Sequence, residues 1–319
     1  MTPLISIIIP LFNKGAYVRD TLAAWIVQLG DCDEILVVDD QSTDDGPDMA
    51  RSMLASIAGA SVTIMPQNSG PASARNRGAS LASGSHLLFF DSDDLPAPKL
   101  LASLRQVIAK YPDDAVFAFN IAFQARGESM SALDAGEVPR ATRRPLHAFA
   151  QDSLAGRTLC TASSTCVARI PFLDAGGFQE GLRYCEDPEL WARLSASHPV
   201  VEIHDVLALY RDVPQSLSHG LRGQIGSVNP YVDSLIRLGR THRGPYQRLA
   251  RSLIFKNLVF ARAAGVSPTE GARQLATYRY ALGHGPHAAL QTLNRLPASL
   301  FRWLLERRAM RQKQAVSSY

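Results

Sequence analysis

Long apolar runs are missing from this chain of 319 residues. None approaches the roughly 20 residues that cross a bilayer as a helix, which excludes a helical channel or transporter. Cysteine is scarce too. Cys32, Cys160, Cys166 and Cys185 show no metal-ligand spacing and suggest no disulfide framework. The opening Met1-Thr-Pro-Leu-Ile-Ser has no basic residue and only a strand-length apolar segment, unlike a secretory leader. The expectation is a reduced, cytoplasmic protein. Internal repeats and low-complexity tracts are also lacking. Acidic residues nearly vanish from the last third: residues 221–319 hold 3 Asp/Glu against 16 Lys/Arg, a net of +13. Residues 1–220 hold 26 Asp/Glu against 17 Lys/Arg, a net of −9. An acidic body suits a cation and a basic tail suits an anionic surface.

What is present is enough apolar residue, 46%, for one sizeable core and a smaller appended region. Strand and helix signals alternate through the first half. Ile5–Ile9, Glu34–Val38, Val62–Met65 and Leu87–Phe90 are strand-like, with helical patterns between them. Pro47, Pro71 and Pro96 fall where first helical positions are expected, since a missing N–H costs nothing there. Such alternation predicts crossover connections and a mostly parallel sheet with helices on both faces. Residues 124–145 are polar and irregular, a surface loop by composition. Thr161–Ala168 and Val200–Tyr210 are strand-like, and a helix capped by Asp187, with Pro188 first inside it, is expected between them. From about residue 229 the pattern is helical and arginine-rich, with a domain boundary near 222.

The segment His86-Leu-Leu-Phe-Phe-Asp91-Ser-Asp93-Asp94 carries the most chemistry. Its apolar run reads as a buried strand, so three carboxylates follow at the strand's carboxyl end, where open α/β sheets bind ligands. Carboxylates crowded at neutral pH repel unless a cation or donors compensate them. One or two carboxylates together with substrate phosphates is the usual way to hold Mg²⁺ or Mn²⁺. The plainer alternative is that Asp94 caps a helix opened by Pro96 while its neighbours are solvated.

Four strand ends bear suggestive residues: Pro10-Leu-Phe12-Asn13, Asp39-Asp40-Gln-Ser42-Thr-Asp44, Asn68-Ser-Gly70-Pro-Ala-Ser-Ala74-Arg75-Asn76-Arg-Gly78, and Asp91-Ser-Asp93-Asp94. With Glu186-Asp187-Pro-Glu-Leu-Trp191-Ala-Arg193-Leu, they resemble the family 2 glycosyltransferases over about residues 4–215. The resemblance implies the GT-A fold, a Rossmann-like nucleotide-binding core with a donor half near 1–95 and an acceptor half near 96–222. The basic helical region 223–319 lies outside it.

The resemblance also implies roles. Phe12 would stack on the nucleotide base, such stacking contributing about 1–3 kcal/mol; otherwise it is a core aromatic. Asp40 would accept the N3–H of uracil, or else serve a turn, as Asp44 does. Arg75 and Arg211 would meet the diphosphate, a guanidinium fork matching phosphate oxygens. Pro10, Asn13, Asn68, Asp91 and Ser92 complete the donor set. Asp93 with Asp91, and with Asp94 not excluded, would hold Mn²⁺ or Mg²⁺, with His219 a further candidate ligand. Asp187 would be the general base of an inverting displacement, although Asp before Pro is also a good helix cap. Glu186 and Trp191 would meet the acceptor, Glu186 alternatively orienting the loop. Asn76 and Arg77 read as structural, and Ala72, Ala74, Gly78 and Ala79 as small residues that let a helix lie close to the sheet.

The expected activity is metal-dependent transfer from a nucleotide-diphospho-sugar, a UDP-sugar foremost, to a hydroxyl of a glycan or lipid-linked glycan. A sugar-nucleotide nucleotidyltransferase would want a Gly-rich basic loop that Pro10-Leu-Phe12-Asn13 lacks. A non-catalytic glycan- or membrane-binding relative would have lost the carboxylates. No nucleic-acid-binding motif accompanies the basic tail. Its stripe Leu300, Phe301, Trp303, Leu304 and Leu305, followed by cations, suits a helix lying in the inner face of the cell membrane, or else one packed on the protein.

Overall fold

The computed structural model describes residues 5–124, 138–182, 184–213, 231–242 and 244–317, with the side chains of the last helix described as far as residue 307. The chain divides into two compact units, residues 1–214 and 215–319. The boundary expected near 222 lies outside the described residues.

In the first unit β1 (Ile5–Leu11), β2 (Glu34–Asp39), β3 (Ala60–Ile64) and β4 (His86–Phe89) alternate with α1 (Gly15–Ile26), α2 (Gly46–Leu54) and α3 (Pro71–Leu81). There follow β5 (Leu95–Pro96), α4 (Leu100–Lys110), β6 (Val116–Phe123), β7 (Ala141–Arg144), α5 (Ala148–Ala155), β8 (Thr165–Ala168), α6 (Arg169–Asp174), α7 (Glu186–Ser197) and β9 (Val200–Tyr210). The nine strands form one sheet in the order β3-β2-β1-β4-β8-β6-β9-β5, with β7 on β9. The pairings β1–β2, β2–β3, β1–β4 and β6–β9 are parallel, whereas β8, β5 and β7 join their neighbours antiparallel.

Parallel strands are covered on both faces, and β1 shows it: Ile5, Ile7, Ile8 and Ile9 are all fully buried. Ser6 is buried as well, its hydroxyl donating to Glu34 Oε1 at 2.5 Å. On one side Trp25 of α1 meets Phe90 edge-on with ring centroids 5.0 Å apart. On α3, Gly78 lies so close to β1 that a Cβ there would overlap the Ile8 Cγ2 methyl. That is the close approach the small residues of α3 were expected to allow.

Two local expectations are corrected. Pro96 does not open a helix. Leu95 and Pro96 pair with Leu209 and Ala208 of β9, and α4 begins at Leu100. A residue before proline is pushed toward extended backbone, and β9 supplies the partner strand. Part of the loop expected at 124–145 is strand β7, while residues 125–137 lie outside the described ones.

The second unit is helical, with helices Val232–Thr241, Pro245–Ala263, Pro268–Thr277, Arg279–Leu282, His284–Asn294 and Ala298–Ser317. Val232, Ile254, Leu258, Leu275, Leu282 and Leu290 form its core. Ser267 caps the third of these helices, its hydroxyl accepting from Glu270 N–H at 3.2 Å. Among the described residues no helix is long and apolar enough to cross a membrane.

Candidate active site

The in-register parallel pairing of Leu11 with Asp39 and of Ile8 with Phe89 brings the ends of β1, β2 and β4 to one edge of the sheet. Phe12, the first residue past β1, is 46% exposed, which rules out the core-aromatic alternative and leaves a ring face for a ligand. Pro10 lies within β1 opposite Val38. Asn13, in the left-handed region at φ 51°, joins two loops: its Oδ1 accepts from Thr43 N–H at 2.8 Å, and its own N–H donates to Ser42 Oγ at 2.9 Å. Asp44 has the turn role expected, accepting from Gly15 N–H at 2.7 Å and Gly46 N–H at 3.1 Å.

Asp40 is 3% exposed and braces the loop before α3, its oxygens accepting from the Ser69 and Gly70 amides, each at 2.7 Å. Asn68 closes the same loop by donating to the Asp40 carbonyl at 2.8 Å. A carboxylate oxygen accepts more than one hydrogen bond, so Asp40 keeps acceptor capacity.

Beyond β4 the acidic loop is clamped from beneath. Thr21 Oγ1 donates toward the Ser92 and Asp94 carbonyls at 3.0 and 2.8 Å. The Asp91 amide donates to Ser163 Oγ at 3.0 Å. Asp94 is 1% exposed; its Oδ1 accepts from the Arg211 amide at 3.2 Å, the Ser163 hydroxyl also supports the carboxyl, and its Oδ2 makes no direct hydrogen bond among the described residues. Burial, and then the charges of Asp91 and Asp93, raise the Asp94 carboxyl well above the usual carboxylate range. Asp93 is raised by the same two influences, burial first and then Asp91, with Lys14 opposing them. The Lys14 ammonium lies 2.5 Å from Asp93 Oδ2.

Both arginines expected at the diphosphate have protein partners. Arg211 donates to the Asp93 carbonyl, to Asp20 Oδ2 at 3.1 Å, and to Tyr17 O and Thr21 Oγ1, both at 3.0 Å. Its guanidinium stacks on the Tyr17 ring at 5.3 Å. It therefore buckles the acidic loop and the end of β9 to α1. Arg75 is 4% exposed; one end of its fork bonds Asp91 Oδ1 at 2.6 Å and the other bonds Glu186 Oε1 at 2.8 Å. Phe178 lies against it at 5.4 Å. Burying an arginine costs several kcal/mol unless its partners compensate, and here two carboxylates do.

Arg75 thus ties the aspartate loop to the start of α7, on which Asp187 stands. The expected cap is corrected. Cys185, in the left-handed region at φ 64°, is the N-cap residue, and Asp187 is the second residue of the helix. Pro188 is tolerated in the first turn, which lets the helix begin two residues earlier. Burial, reinforced by the Glu186 charge and opposed by Arg75, pushes the Asp187 carboxyl up to about 7. A carboxylate poised near neutrality is what proton abstraction asks for.

Trp191, expected at the acceptor, is a core residue instead, 1% exposed with its ring 6.0 Å from Phe178. Glu186, 9% exposed, is held by Arg75. Arg193 completes α7's attachment, bonding Glu189 on the same helix and donating to Gly177 O at 2.6 Å. Asn76 is structural as expected, exchanging bonds of 2.9 Å with the Phe178 backbone in both directions. His219 lies outside the described residues.

Sequence reading missed Lys14, Tyr17, Thr21 and Ser163. Lys14 was detectable: it adjoins Asn13, and the loops after β1 and β4 must be neighbours once those strands pair. Among the described residues no three His, Cys, Asp or Glu side chains converge into a preformed metal cage. The donor set nevertheless fits a hard cation that takes one or two carboxylates and completes its shell with phosphate oxygens and water. The unpartnered Asp94 Oδ2 is the observation that supports the fit.

The family model described as "Glycosyl transferase family 2" matches residues 6–170. The teichuronic acid biosynthesis glycosyltransferase TuaG of Bacillus subtilis, a putative one, is 27% identical over 219 residues, 68% of this chain and 82% of that protein. An uncharacterised Haemophilus influenzae glycosyltransferase is 35% identical over 95 residues, 30% of this chain. GlyG of Streptococcus pneumoniae is 29% identical over 116 residues, 36% of this chain. The matched segments span about 38% of the length of these last two relatives. Among solved structures, S. aureus TarS 1-349 in complex with UDP-GlcNAc has a TM-score of 0.69 at 18% identity, covering 91% of this chain and 89% of its own. Mannosyltransferase PcManGT from Pyrobaculum calidifontis, in complex with GDP-Man and Mn²⁺, has a TM-score of 0.59 at 19% identity, covering 92% and 79%. At these identities the likeness concerns the fold.

Proposed function

We propose, for a chain that belongs to glycosyl transferase family 2, an inverting transfer of one sugar from a UDP-sugar to a hydroxyl of a glycan or lipid-linked glycan. The observation that carries the reading is Asp187. Its carboxyl is raised to about 7 at the start of α7, and the adjacent Glu186 is joined through Arg75 to the aspartate loop. In this reading Asp187 takes the acceptor's proton as that oxygen attacks the anomeric carbon, and the bond to the diphosphate breaks on the opposite face. Phe12 offers its exposed ring to the base, with Asp40 and Asn68 shaping the loop beside it.

Asp93 and Asp91, with Asp94 beneath them, would hold a divalent cation against the donor's diphosphate. Bound there, it supplies Lewis-acid stabilisation of the charge building on the leaving nucleoside diphosphate. The complexes of TarS with UDP-GlcNAc and of PcManGT with GDP-Man and Mn²⁺ support a nucleotide-sugar donor and a metal.

The second unit supports a peripheral membrane placement. Phe301 is buried under the Arg262 guanidinium, whereas Leu300, Trp303 and Leu304 are 37%, 45% and 41% exposed on one face of the last helix. Such a face suits the interface of the inner leaflet, close to a lipid-linked acceptor. The activity is tested by incubating the full chain with a panel of nucleotide-sugars and Mn²⁺ and following nucleoside diphosphate release. UDP release that EDTA abolishes is expected, and an inverted product anomer by NMR. Release that persists in EDTA, or a retained anomer, overturns the proposed chemistry.

A further inference from the structure

Two buried groups at the acidic loop keep unfilled hydrogen-bonding capacity and are opposite in kind. One is Asp94 Oδ2, an acceptor. The other is the Lys14 ammonium, which is engaged by Asp93 Oδ2 at 2.5 Å but has three donors to fill. The Lys14 and Asp93 side chains are 16% and 15% exposed, so water screens them only partly. An unpartnered acceptor invites a cation, and an ammonium with donors left to fill invites an anion. A divalent cation carried in with a diphosphate is both.

Of the three cations around the loop, Lys14 is the least tethered among the described residues, since Arg75, although its Nε is also unpartnered, is fixed at both ends of its fork. Arg75 bonds Asp91 and Glu186, and Arg211 bonds Asp20 and the α1 backbone. Lys14 also has the means to move. Its backbone is fixed at the head of α1, where its carbonyl accepts from the Tyr17 and Val18 amides at 2.9 Å. Its side chain is a flexible four-carbon stem carrying a compact charge. Asp93 meanwhile has a single-cation partner that a stronger one can replace.

We infer that Lys14 is the resident counter-cation of Asp93 in the donor-free enzyme, and that it yields Asp93 to the divalent cation while its ammonium passes to the donor's diphosphate. The inference rests on the metal reading of the aspartate loop. It makes Lys14, which sequence reasoning did not single out, the phosphate-contacting residue in place of Arg75 and Arg211. It also explains why the aspartates need no preformed cage: the free enzyme neutralises Asp93 internally, and metal and diphosphate displace that contact together.

The consequence is a pair of effects opposite in sign. Removing Lys14 removes a competitor for metal and a ligand for phosphate. Mn²⁺ binding to the nucleotide-free full chain is measured by electron paramagnetic resonance, and UDP binding with and without Mn²⁺ by calorimetry, for wild type, Lys14→Met and Asp93→Asn. A thermal melt shows that each variant is folded, and Lys14→Gln replaces Lys14→Met if the latter is not. Lys14→Met is expected to bind Mn²⁺ about three- to tenfold more tightly than wild type without nucleotide, and UDP about tenfold more weakly in both conditions. Unchanged or weaker Mn²⁺ binding, or unchanged UDP binding, in a folded Lys14 variant overturns the inference. Asp93→Asn separates this from the underlying reading: if it binds Mn²⁺ as wild type does, the aspartate loop is not the metal site and the proposed function fails first.

Discussion

In the first unit Asp40, Arg75, Asp94, Glu186 and Arg211 are each no more than 9% exposed, and each is bonded to a group from another strand, helix or turn. Among the described residues of the second unit, Arg262 is the one charged side chain buried to that degree. Arg273 there is typical, 76% exposed and paired with Glu270 one turn away on the same helix. The two units place ionic groups for different ends. A buried charge is costly, so a unit that ties five such charges across separate strands, helices and turns holds them against that cost for a geometry. A unit whose charges face water keeps them for solubility or for a surface partner.

The comparison can be broken at several points, the largest effect first. Asp93→Ala should lower turnover by at least about 10³-fold, the loss of a cation's several kcal/mol, with the melting transition kept. EDTA should match it, and Mn²⁺ should rescue wild type but not the variant. Arg75→Met should strand Asp91 and Glu186 without their shared cation and destabilise the first unit by about 3–5 kcal/mol in denaturant unfolding. Arg273→Ala should change stability by no more than about 0.5 kcal/mol, because its pair is solvated. Equal costs for these two arginines would erase the contrast between the units. Gly78→Ala forces a methyl against Ile8 and should cost about 1–3 kcal/mol. The gentlest probe is Trp303→Ser in the exposed stripe, which should weaken sedimentation with anionic liposomes a few-fold without touching transfer to a soluble acceptor.

Much of the fold was legible because it is local. Periodicity and turn residues located β1 to β4, and once β1 and β4 pair, the strand ends with their carboxylates must share one edge. Phe12's availability and Asn76's structural role were readable in the same way. What failed was information about partners distant in sequence. Pro96 was expected in a helix because nothing nearby signals that β9, more than 100 residues later, lies alongside it. The bond from Arg75 to Glu186, 111 residues further on, has no local sequence signal. Trp191 has the composition of an acceptor platform and the surroundings of a core residue, and only packing against Phe178 distinguishes them. Lys14 carries no motif of its own, although a carboxylate cluster always poses the question of its counter-charge.

The central claim is that Asp187 is the base and not a cap, and the pH dependence of kcat/KM tests it most directly. Its carboxyl titrates near 7, and the basic form is the deprotonated one. Wild-type activity should therefore fall about tenfold per pH unit below 7 and level off above it. Asn is nearly isosteric with Asp at this second helical position but cannot take the proton. Asp187→Asn should lose about 10²-fold or more on the plateau, keep its melting temperature and its affinity for UDP, and lose the acidic limb of the profile. Near-normal turnover in Asp187→Asn, with the limb still present at pH 7, would contradict the account and move the search for the base to Glu186.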